Sequence, residues 1–313
     1  MKMMKNTLWF VNYETLLFRN QKKYFRGAED YLNVSESQRE VKLIMNIGLV
    51  FSGGGTCGAY QIGFWRALRE SGMEKQITAI SGSSAGSLNA LLFAYGDPDL
   101  AEDIWRGLRQ SDLFKLRGFL DRKALFSQIG YAGLIDRFED YWPGLQKGMP
   151  IYSCVSVLNR QDGTLDRIDL KLREAGRPGY ILLNDLSYKA MKNVLLASSA
   201  IPYIYPHRHV KGKTCIDGDF SDKTPYRPLI DQACDEIIIL HLNTREEAKE
   251  RRLESDEDHD PVSQRRLYHL YPSETLGAFM LVTKELTKRR IRMGYEDGKR
   301  FLEEKRSCDQ SRL

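Results

Sequence analysis

Gln76-Ile-Thr-Ala-Ile-Ser-Gly-Ser-Ser84-Ala-Gly-Ser-Leu-Asn-Ala-Leu-Leu-Phe93 is the most informative stretch of the chain. It begins as a short apolar, β-branched run, breaks at small residues and continues as an Ala/Leu-rich segment with helical spacing. Ser84 is the centre of a G-x-S-x-G motif, whose glycines let the backbones pass at a strained turn. The pattern predicts strand, sharp turn and helix, with the Ser84 hydroxyl near the positive end of that helix. We interpret Ser84 as a nucleophile, the alternative being an ordinary turn of small residues.

A similar unit of strand, glycine loop and helix precedes this motif. Residues 44–51 predict a largely buried strand, which opens into Ser52-Gly-Gly-Gly-Thr-Cys-Gly58. Residues 59–71 follow with helical spacing and stop at Gly72, a plausible C′ glycine. The chain therefore enters two consecutive helices through loops made of small residues.

Two kinds of chemistry fit the first glycine loop. Gly53, Gly55 and Gly58 match the G-x-G-x-x-G of dinucleotide sites, and no G-K-[ST] of a P-loop occurs. A dinucleotide site also needs an Asp or Glu at the end of the next strand, where Ile80-Ser81-Gly82 stands instead. We therefore prefer an oxyanion hole formed by the N–H groups of Gly53, Gly54 and Gly55, because the candidate nucleophile follows the neighbouring strand.

Composition bounds the kind of protein. The 313 residues are 42% hydrophobic and 28% charged, as in ordinary soluble globular proteins. The net charge of +5 is compatible with an anionic membrane surface but is too weak and dispersed to indicate nucleic acid. Five scattered cysteines without metal-site spacing favour a reducing compartment. No signal peptide or membrane-spanning run is apparent, so we expect a cytoplasmic protein that contacts membranes only peripherally.

The remaining segments extend an α/β pattern. Strands are predicted at 150–158, at 165–170 on a sheet edge, at 213–216 before Asp217-Gly218-Asp219, and at 236–242; helices are predicted at 88–95, 99–109, 188–199 and 276–305. The last helix is expected to bury Phe279, Val282, Leu286 and Met293 or Tyr295.

The domain organisation follows from the same pass. Residues 1–45 predict an extension packed on the main domain, with a membrane-touching or partner-binding arm as the alternative. Residues 46–313 predict one domain. Within it, the densely charged run at about 244–262 predicts an exposed, mobile excursion.

Three motifs together make the sequence resemble patatin-like phospholipases, and in particular bacterial-type patatin-like acyl hydrolases. They are Gly53-Gly-Gly-Thr-Cys-Gly58, Gly82-Ser-Ser84-Ala-Gly86 and Asp217-Gly218, in that order. The stretch Ala197-Ser-Ser-Ala-Ile-Pro202 and the segment Ile291–Asp297 are similar to the family as well. The likeness runs from about Ile47 to Leu242 and returns near the C-terminus.

The resemblance implies a three-layer α/β/α fold with a mostly parallel central sheet. It also implies a catalytic dyad of Ser84 and Asp217, an oxyanion hole at Gly53 to Gly55, and neither a metal nor another cofactor. Cys57 stands where the family usually has Arg or Lys, and Asp219 replaces the second glycine of D-G-G. These departures remove a cation from the glycine loop and place a second carboxylate near Asp217.

The expected function is hydrolysis of carboxylic ester bonds in membrane lipids, of phospholipase A or lysophospholipase type, through an acyl-enzyme. A free Asp has a pKa near 3.9, so burial or the charge of Asp219 must raise the pKa of Asp217 for it to act as a base. A Ser–Asp–His triad that uses His241 is one alternative. A catalytically idle lipid-binding or scaffold protein is another.

Overall fold

The computed structural model describes residues 45–113, 115–116, 125–158, 176–251, 263 and 265–310. Three predicted features therefore lie outside the described residues: the extension over residues 1–44, the edge strand at 165–170 and the part of the charged excursion from 252 to 262. Among the described residues, no helix combines the length and apolarity needed to cross a bilayer.

The strands are β1 Ile47–Phe51, β2 Ile77–Ser83, β3 Lys115–Leu116, β4 Phe126–Ser127, β5 Ile151–Leu158, β6 Gly176–Leu182, β7 Arg208–Val210, β8 Lys213–Asp217, β9 Glu236–Leu240 and β10 Arg266–Leu270. The α-helices are α1 Ala59–Glu70, α2 Ala85–Tyr95, α3 Pro98–Gly107, α4 Gln110–Leu113, α5 Ile129–Asp136, α6 Trp142–Leu145, α7 Tyr188–Ser198, α8 Arg227–Asp231, α9 Arg245–Arg251 and α10 Lys284–Gln310. Most predicted elements appear, with ends displaced by a few residues.

One mixed sheet of eight strands organises the chain, in the order β10-β9-β1-β2-β5-β8-β7, with β6 paired to the other edge of β5. The strands from β10 to β5 run parallel, whereas β6, β7 and β8 join by antiparallel pairing. β3 and β4 form a separate two-stranded sheet.

Apolar side chains cover both faces of this sheet. Every residue of β1 and of β9 is buried, as expected for parallel strands covered on both sides. The larger cluster contains residues of α1, α2, α3, α7 and α10, and the smaller one packs Leu229 and Cys234 against the opposite face. The predicted three-layer α/β/α architecture with a mostly parallel sheet is confirmed.

β5 brings two strand ends together. Its first half pairs with β2, so that Ser83 lies opposite Cys154, and its second half pairs with β8, so that Val155 lies opposite Asp217. β6 pairs with β5 over the length of both halves, and β2 and β8 therefore share the remaining edge. Because one runs parallel and the other antiparallel to β5, their carboxyl ends meet.

The region after β9 differs from the prediction. β10 was missed because, as an edge strand that pairs with β9 alone among the described strands, it lacks the continuous apolar run of a buried strand. The charged run was expected to be a mobile excursion, but it begins as helix α9. Thr244 and Glu247 form a reciprocal capping box there, with hydrogen bonds of 2.9 and 3.2 Å. The strand predicted to Leu242 ends at Leu240.

The start and the buried face of the C-terminal helix were also predicted incorrectly. α10 begins at Lys284 and not at 276, because Gly277 has a left-handed φ of 75° and Thr283 Oγ1 accepts from the Leu286 N–H. Phe279 is therefore outside the helix and 50% exposed. The buried positions of α10 include Thr287, Arg290, Ile291, Asp297, Leu302 and Lys305.

Helices α1 and α10 cross at two glycines. A Cβ on Gly63 would lie 1.9 Å from the Ile291 carbonyl oxygen, and a Cβ on Gly294 would lie 1.9 Å from that of Tyr60. Both contacts are to backbone, so neither can be relieved by turning a side chain. The two helices can approach this closely only because both positions lack a side chain.

We predict that Gly294→Ala destabilises the protein by about 1–3 kcal/mol, since the helices must separate to admit the methyl group. Gly107→Ala is the matched control, because this exposed helical glycine has no neighbour within 4 Å of an added Cβ. Chemical denaturation of both variants measures the difference. Equal stabilities would contradict close packing at this crossing.

Candidate active site

Ser84 occupies a strained turn between β2 and α2. Its φ of 51° and ψ of −123° are unfavourable for a residue with a Cβ. A Cβ on Gly82 would lie 2.3 Å from the Gly86 carbonyl oxygen, and one on Gly86 would lie 1.9 Å from that of Phe51. The predicted strand, turn and helix are thus confirmed, and the two glycines of G-x-S-x-G are sterically required.

The side chains of Ser84 and Asp217 are in direct contact. Ser84 Oγ donates a hydrogen bond to Asp217 Oδ2 at 2.8 Å, and the two residues are 4% and 1% exposed. Asp217 Oδ1 accepts from the Asp219 backbone N–H at 3.0 Å. Ser156 Oγ donates to the Asp217 carbonyl at 2.7 Å and fixes the end of β8. The hydroxyl and carboxyl groups that the sequence places 133 residues apart therefore form one site.

The environment of Asp217 favours its neutral form. Burial raises the pKa of its carboxyl well above the ordinary value, and the negative charge of Asp219 raises that pKa further. Hydrogen bonds from the Asp219 N–H and from Ser84 oppose both effects. The two causes expected from the sequence are those found, and they make Asp217 a stronger proton acceptor than a free Asp.

A network of serines supports the turn, and sequence reasoning assigned it no role. The Ser84 N–H donates to Ser198 Oγ at 2.9 Å, and Ser87 Oγ lies 2.9 Å from Ser198 Oγ and 2.8 Å from Ser153 Oγ. Ser87 Oγ also donates to the Gly82 carbonyl. These hydroxyls satisfy buried polar groups on both sides of Ser84. The only sequence signal was Ser198, within the stretch that resembles the family.

Two of the three candidate N–H groups of the glycine loop, not all three, are without a hydrogen-bond partner among the described residues. The N–H of Gly53 donates to the Lys223 carbonyl at 3.1 Å. Within the described residues, the N–H groups of Gly54 and Gly55 have no hydrogen-bond partner. Gly55 adopts a left-handed φ of 58°, and an added Cβ would lie 2.5 Å from the Phe279 carbonyl oxygen. The candidate oxyanion hole thus narrows to Gly54 and Gly55.

Asp219 has a structural consequence for Gly53. A Cβ on Gly53 would lie 1.6 Å from Asp219 Oδ1, so the Asp219 carboxyl packs directly against the loop backbone. Gly218 is equally constrained, because its Cβ would lie 2.4 Å from the Cys154 carbonyl oxygen. The glycines on both sides of the site therefore let two backbone segments approach each other.

Two cavities meet at Ser84. A wide cavity of about 1290 Å³ has polar and charged lining residues that include Asp219, Lys223 and Arg227. A smaller one of about 80 Å³ is mostly apolar, with lining residues that include Leu88, Trp105, Leu108, Leu113, Leu134 and Met280. Ser84, Gly55, Ile201 and Phe279 line both. Ser84 thus lies between a wide cavity of mixed polarity and a small, mostly apolar cavity.

A cation from another part of the chain lies beside Cys57. Burial raises the pKa of the Cys57 thiol, and the positive charges of Arg290 and Lys223 oppose that increase. Arg290 belongs to α10, more than 200 residues from the glycine loop, and donates to Thr56. Nothing in the sequence pattern connected the two segments.

His241 lies in a different cluster from Ser84. Its Nε2 is 2.8 Å from His269 Nδ1, and its ring stacks on Tyr271 at 4.1 Å between centroids. It lines neither of the two cavities that contain Ser84. The hydrogen bond of the Ser84 hydroxyl goes to Asp217, so this structure does not assemble a triad through His241.

Comparison with known proteins gives the family. The patatin-like phospholipase profile matches residues 49–230, and the chain belongs to that family. It is 27% identical over 211 residues to lysophospholipase NTE1 of Cryptococcus neoformans, a match that covers 66% of this chain and 12% of the relative. The chain thus spans about an eighth of the length of the curated relatives it matches.

A solved structure shares the fold. VipD from Legionella pneumophila superposes with a TM-score of 0.53 at 14% identity, covering 83% of this chain and 67% of that protein. At this identity the likeness concerns the arrangement of strands and helices only. The family resemblance expected from the three motifs is confirmed.

We predict that Asp217→Asn stabilises the protein at neutral pH, because a carboxyl with a raised pKa costs stability there. Below the ordinary Asp pKa of about 3.9 the group is neutral in both the folded and the unfolded chain. As the pH rises, the unfolded chain ionises first and folding is penalised, whereas Asn carries no such penalty.

Thermal unfolding of wild type and Asp217→Asn between pH 4 and 8 measures this effect. We expect the difference in Tm to grow as the pH rises, by ~2–4 °C for each kcal/mol of penalty. A difference in Tm that stays constant across this range would mean that the carboxyl is not held in its neutral form by the fold.

Proposed function

We propose that this protein is a serine acyl hydrolase that cleaves ester bonds of phospholipids or lysophospholipids. The observation that carries the proposal is the buried 2.8 Å hydrogen bond from Ser84 Oγ to Asp217, at the junction of a wide cavity of mixed polarity and a small, mostly apolar cavity. Membership of the patatin-like phospholipase family supports lipid esters as the substrate class. The name of the NTE1 relative, a lysophospholipase, points in the same direction.

The proposed reaction begins with attack of Ser84 Oγ on the ester carbonyl carbon while Asp217 takes the hydroxyl proton. The carbonyl oxygen becomes negative and accepts hydrogen bonds from the N–H groups of Gly54 and Gly55. The C–O bond to the leaving alcohol then breaks, and that alcohol takes the proton from Asp217. In the second half of the reaction, water attacks the acyl carbon and gives a proton to Asp217. The bond from that carbon to Ser84 Oγ then breaks, Ser84 Oγ takes the proton back from Asp217, and the fatty acid leaves.

The two cavities assign the two ends of the substrate. We assign the acyl chain to the apolar cavity, because its lining is mostly hydrocarbon and burial of hydrocarbon against it is favourable. We assign the leaving alcohol and its polar head group to the wide cavity, because its lining includes the positive charges of Lys223 and Arg227, which would attract a phosphate. This orientation places the scissile carbonyl between Ser84 and the glycine loop.

Peripheral contact with a membrane is part of the proposal. The exposed large apolar side chains of the described residues are Leu125, Ile129, Tyr203, Phe279 and Leu281. All belong to segments that border the apolar cavity. Phe279 lines it, and Tyr203 lies in sequence between two residues that line it. Leu125 is joined to that segment, because its N–H donates to the Tyr203 carbonyl. Exposed apolar groups around an acyl cavity favour contact with lipid at that entrance.

We expect Ser84→Ala to abolish fatty acid release from mixed phospholipid vesicles, by roughly 1,000-fold or more, since the nucleophile is removed. Asp217→Asn is expected to lose roughly 100-fold or more for want of a base. Ser83→Ala is the matched control, because the buried Ser83 hydroxyl has no hydrogen bond in the part of the chain that the structure describes. Fatty acid release is measured with and without EDTA.

The comparison of substrates separates the possible failures. Turnover of a soluble short-chain ester without release from vesicles would mean that the lipid assignment is wrong while the dyad is right. Equal activity of wild type and Ser84→Ala would refute the dyad. Inactivity of wild type on both substrates would favour a catalytically idle lipid-binding protein, and loss of activity in EDTA would contradict a metal-independent reaction.

The proposed base also predicts how activity depends on pH. The raised pKa of Asp217 places the acid limb of kcat/KM above the ordinary range of an Asp, because only the ionised carboxylate can accept the proton. Asp219→Asn removes a negative charge that raises this pKa. The acid limb should therefore move to lower pH in that variant.

Rates on a soluble ester between pH 4 and 9 provide the measurement. Asp231→Asn is the control, because Asp231 is an exposed carboxylate on α8 and lines neither cavity. An acid limb that stays in place in Asp219→Asn, or moves to higher pH, would show that Asp219 does not raise the pKa of the group that limits the rate.

A further inference from the structure

Arg290 is a buried cation that the reaction described above does not use. It is 1% exposed and is among the largest fully buried side chains of the described residues. Its guanidinium donates to four backbone carbonyls, those of Thr56, Leu276, Ala278 and Leu281, at 2.9 to 3.2 Å, and to Thr56 Oγ1 at 2.9 Å. Every nitrogen of the group therefore has an acceptor.

The burial of this cation is costly. Within the described residues no carboxylate forms an ion pair with Arg290, and desolvation lowers the pKa of its guanidinium. A buried charge without a counter-ion is strongly unfavourable unless hydrogen bonds replace its hydration. An apolar side chain such as Met would fill a similar space at less cost, but it could not hold these oxygens in place.

The acceptors of Arg290 lie in two segments that meet at Gly55: the glycine loop itself and the segment that contains Phe279, whose carbonyl oxygen approaches Gly55. Both polar backbone groups of Thr56, the residue after Gly55, are held by hydrogen bonds. Its N–H donates to the Phe279 carbonyl at 2.7 Å, and its carbonyl accepts from Arg290. Leu276, Ala278 and Leu281 lie on either side of Phe279. Arg290 thus links two segments. One contains Phe279, which lines both cavities, and the other is the turn of the glycine loop that orients the Gly55 N–H.

We propose that Arg290 is a positioning residue of the active site. It holds the Gly55 N–H and the Phe279 side chain in the positions that a reaction at Ser84 requires. It also supplies, from α10, a positive charge beside the glycine loop, where Cys57 contributes none. The expected effect of Arg290 on the reaction rate rests on the proposed function, whereas its expected effect on the order of the glycine loop does not. A Lys at position 290 keeps the charge but lacks the planar fork that reaches several carbonyls.

The experiment compares Arg290→Met and Arg290→Lys with Arg289→Met in the full chain. Arg289 is the matched control, because it is the adjacent residue on α10 but is exposed and pairs with Glu274 at 2.7 Å. Two measurements are made on each protein. They are kcat and KM for a soluble ester, and hydrogen–deuterium exchange of the peptides that contain residues 53–58 and 276–283, the second of which excludes Glu274.

We expect Arg290→Met to lower kcat roughly 10- to 100-fold with KM changed less than about 3-fold, because a misplaced oxyanion donor weakens transition-state binding more than substrate binding. Arg290→Lys should be intermediate, and Arg289→Met should equal wild type. Exchange should accelerate in the two peptides, above all at the Thr56 amide, while β1 and β2 remain protected.

Other results overturn the proposal. A kcat within 3-fold of wild type for Arg290→Met, or exchange that accelerates equally throughout the domain, would make Arg290 a residue of general stability only. If Arg290→Met fails to fold, Arg290→Lys is judged by the same criteria. If wild type hydrolyses no ester, the proposed function fails, and the exchange of the two peptides still decides whether Arg290 holds the loop.

Discussion

The hydrogen bond between Ser84 and Asp217 depends on a single feature of the sheet. β2 and β8 pair one after the other with the same edge of β5. The last residue of β2 lies opposite Cys154, and the last residue of β8 lies opposite Val155. Side chains that leave two strand ends at this point must meet, whatever lies between them in sequence. The buried Asp217 carboxyl is costly to ionise, so the fold gives up stability to hold a proton acceptor beside the hydroxyl.

Close backbone approach is the second constraint, and it explains why the motifs consist of glycine. Gly82 and Gly86 pass each other at the turn, Gly86 touches the end of β1, and Gly218 touches β5. These contacts bring the loops close enough for the Ser84–Asp217 hydrogen bond to form beside Gly54 and Gly55, whose N–H groups have no partner in the part of the chain that the structure describes. A methyl group at any of these positions would separate elements that the site needs together.

The sequence predicted what depends on local pattern and on residue type. The turn at Ser84, the glycine loop and Asp217 at the end of β8 followed from β-branched runs that end at small residues, and from a family resemblance. It could not reveal that the Gly53 N–H is occupied by Lys223, since that contact joins distant segments. It also missed β10, whose mixed composition reflects an edge position. It predicted that Phe279 lies in the last helix, but that helix begins only at Lys284.

A half-buried negative charge, Asp219, and a buried positive charge, Arg290, are arranged asymmetrically around the site, and this arrangement fits the proposed direction of proton transfer. Asp219 lies on the side of Asp217, where a neighbouring negative charge raises proton affinity. Arg290 lies on the side of the glycine loop, where negative charge would develop on the substrate oxygen. In the proposed reaction, both charges favour moving the Ser84 proton toward Asp217 while negative charge builds toward Gly54 and Gly55. Asp219 and Arg290 would thus act on opposite ends of one proposed step, although neither belongs to the proposed dyad.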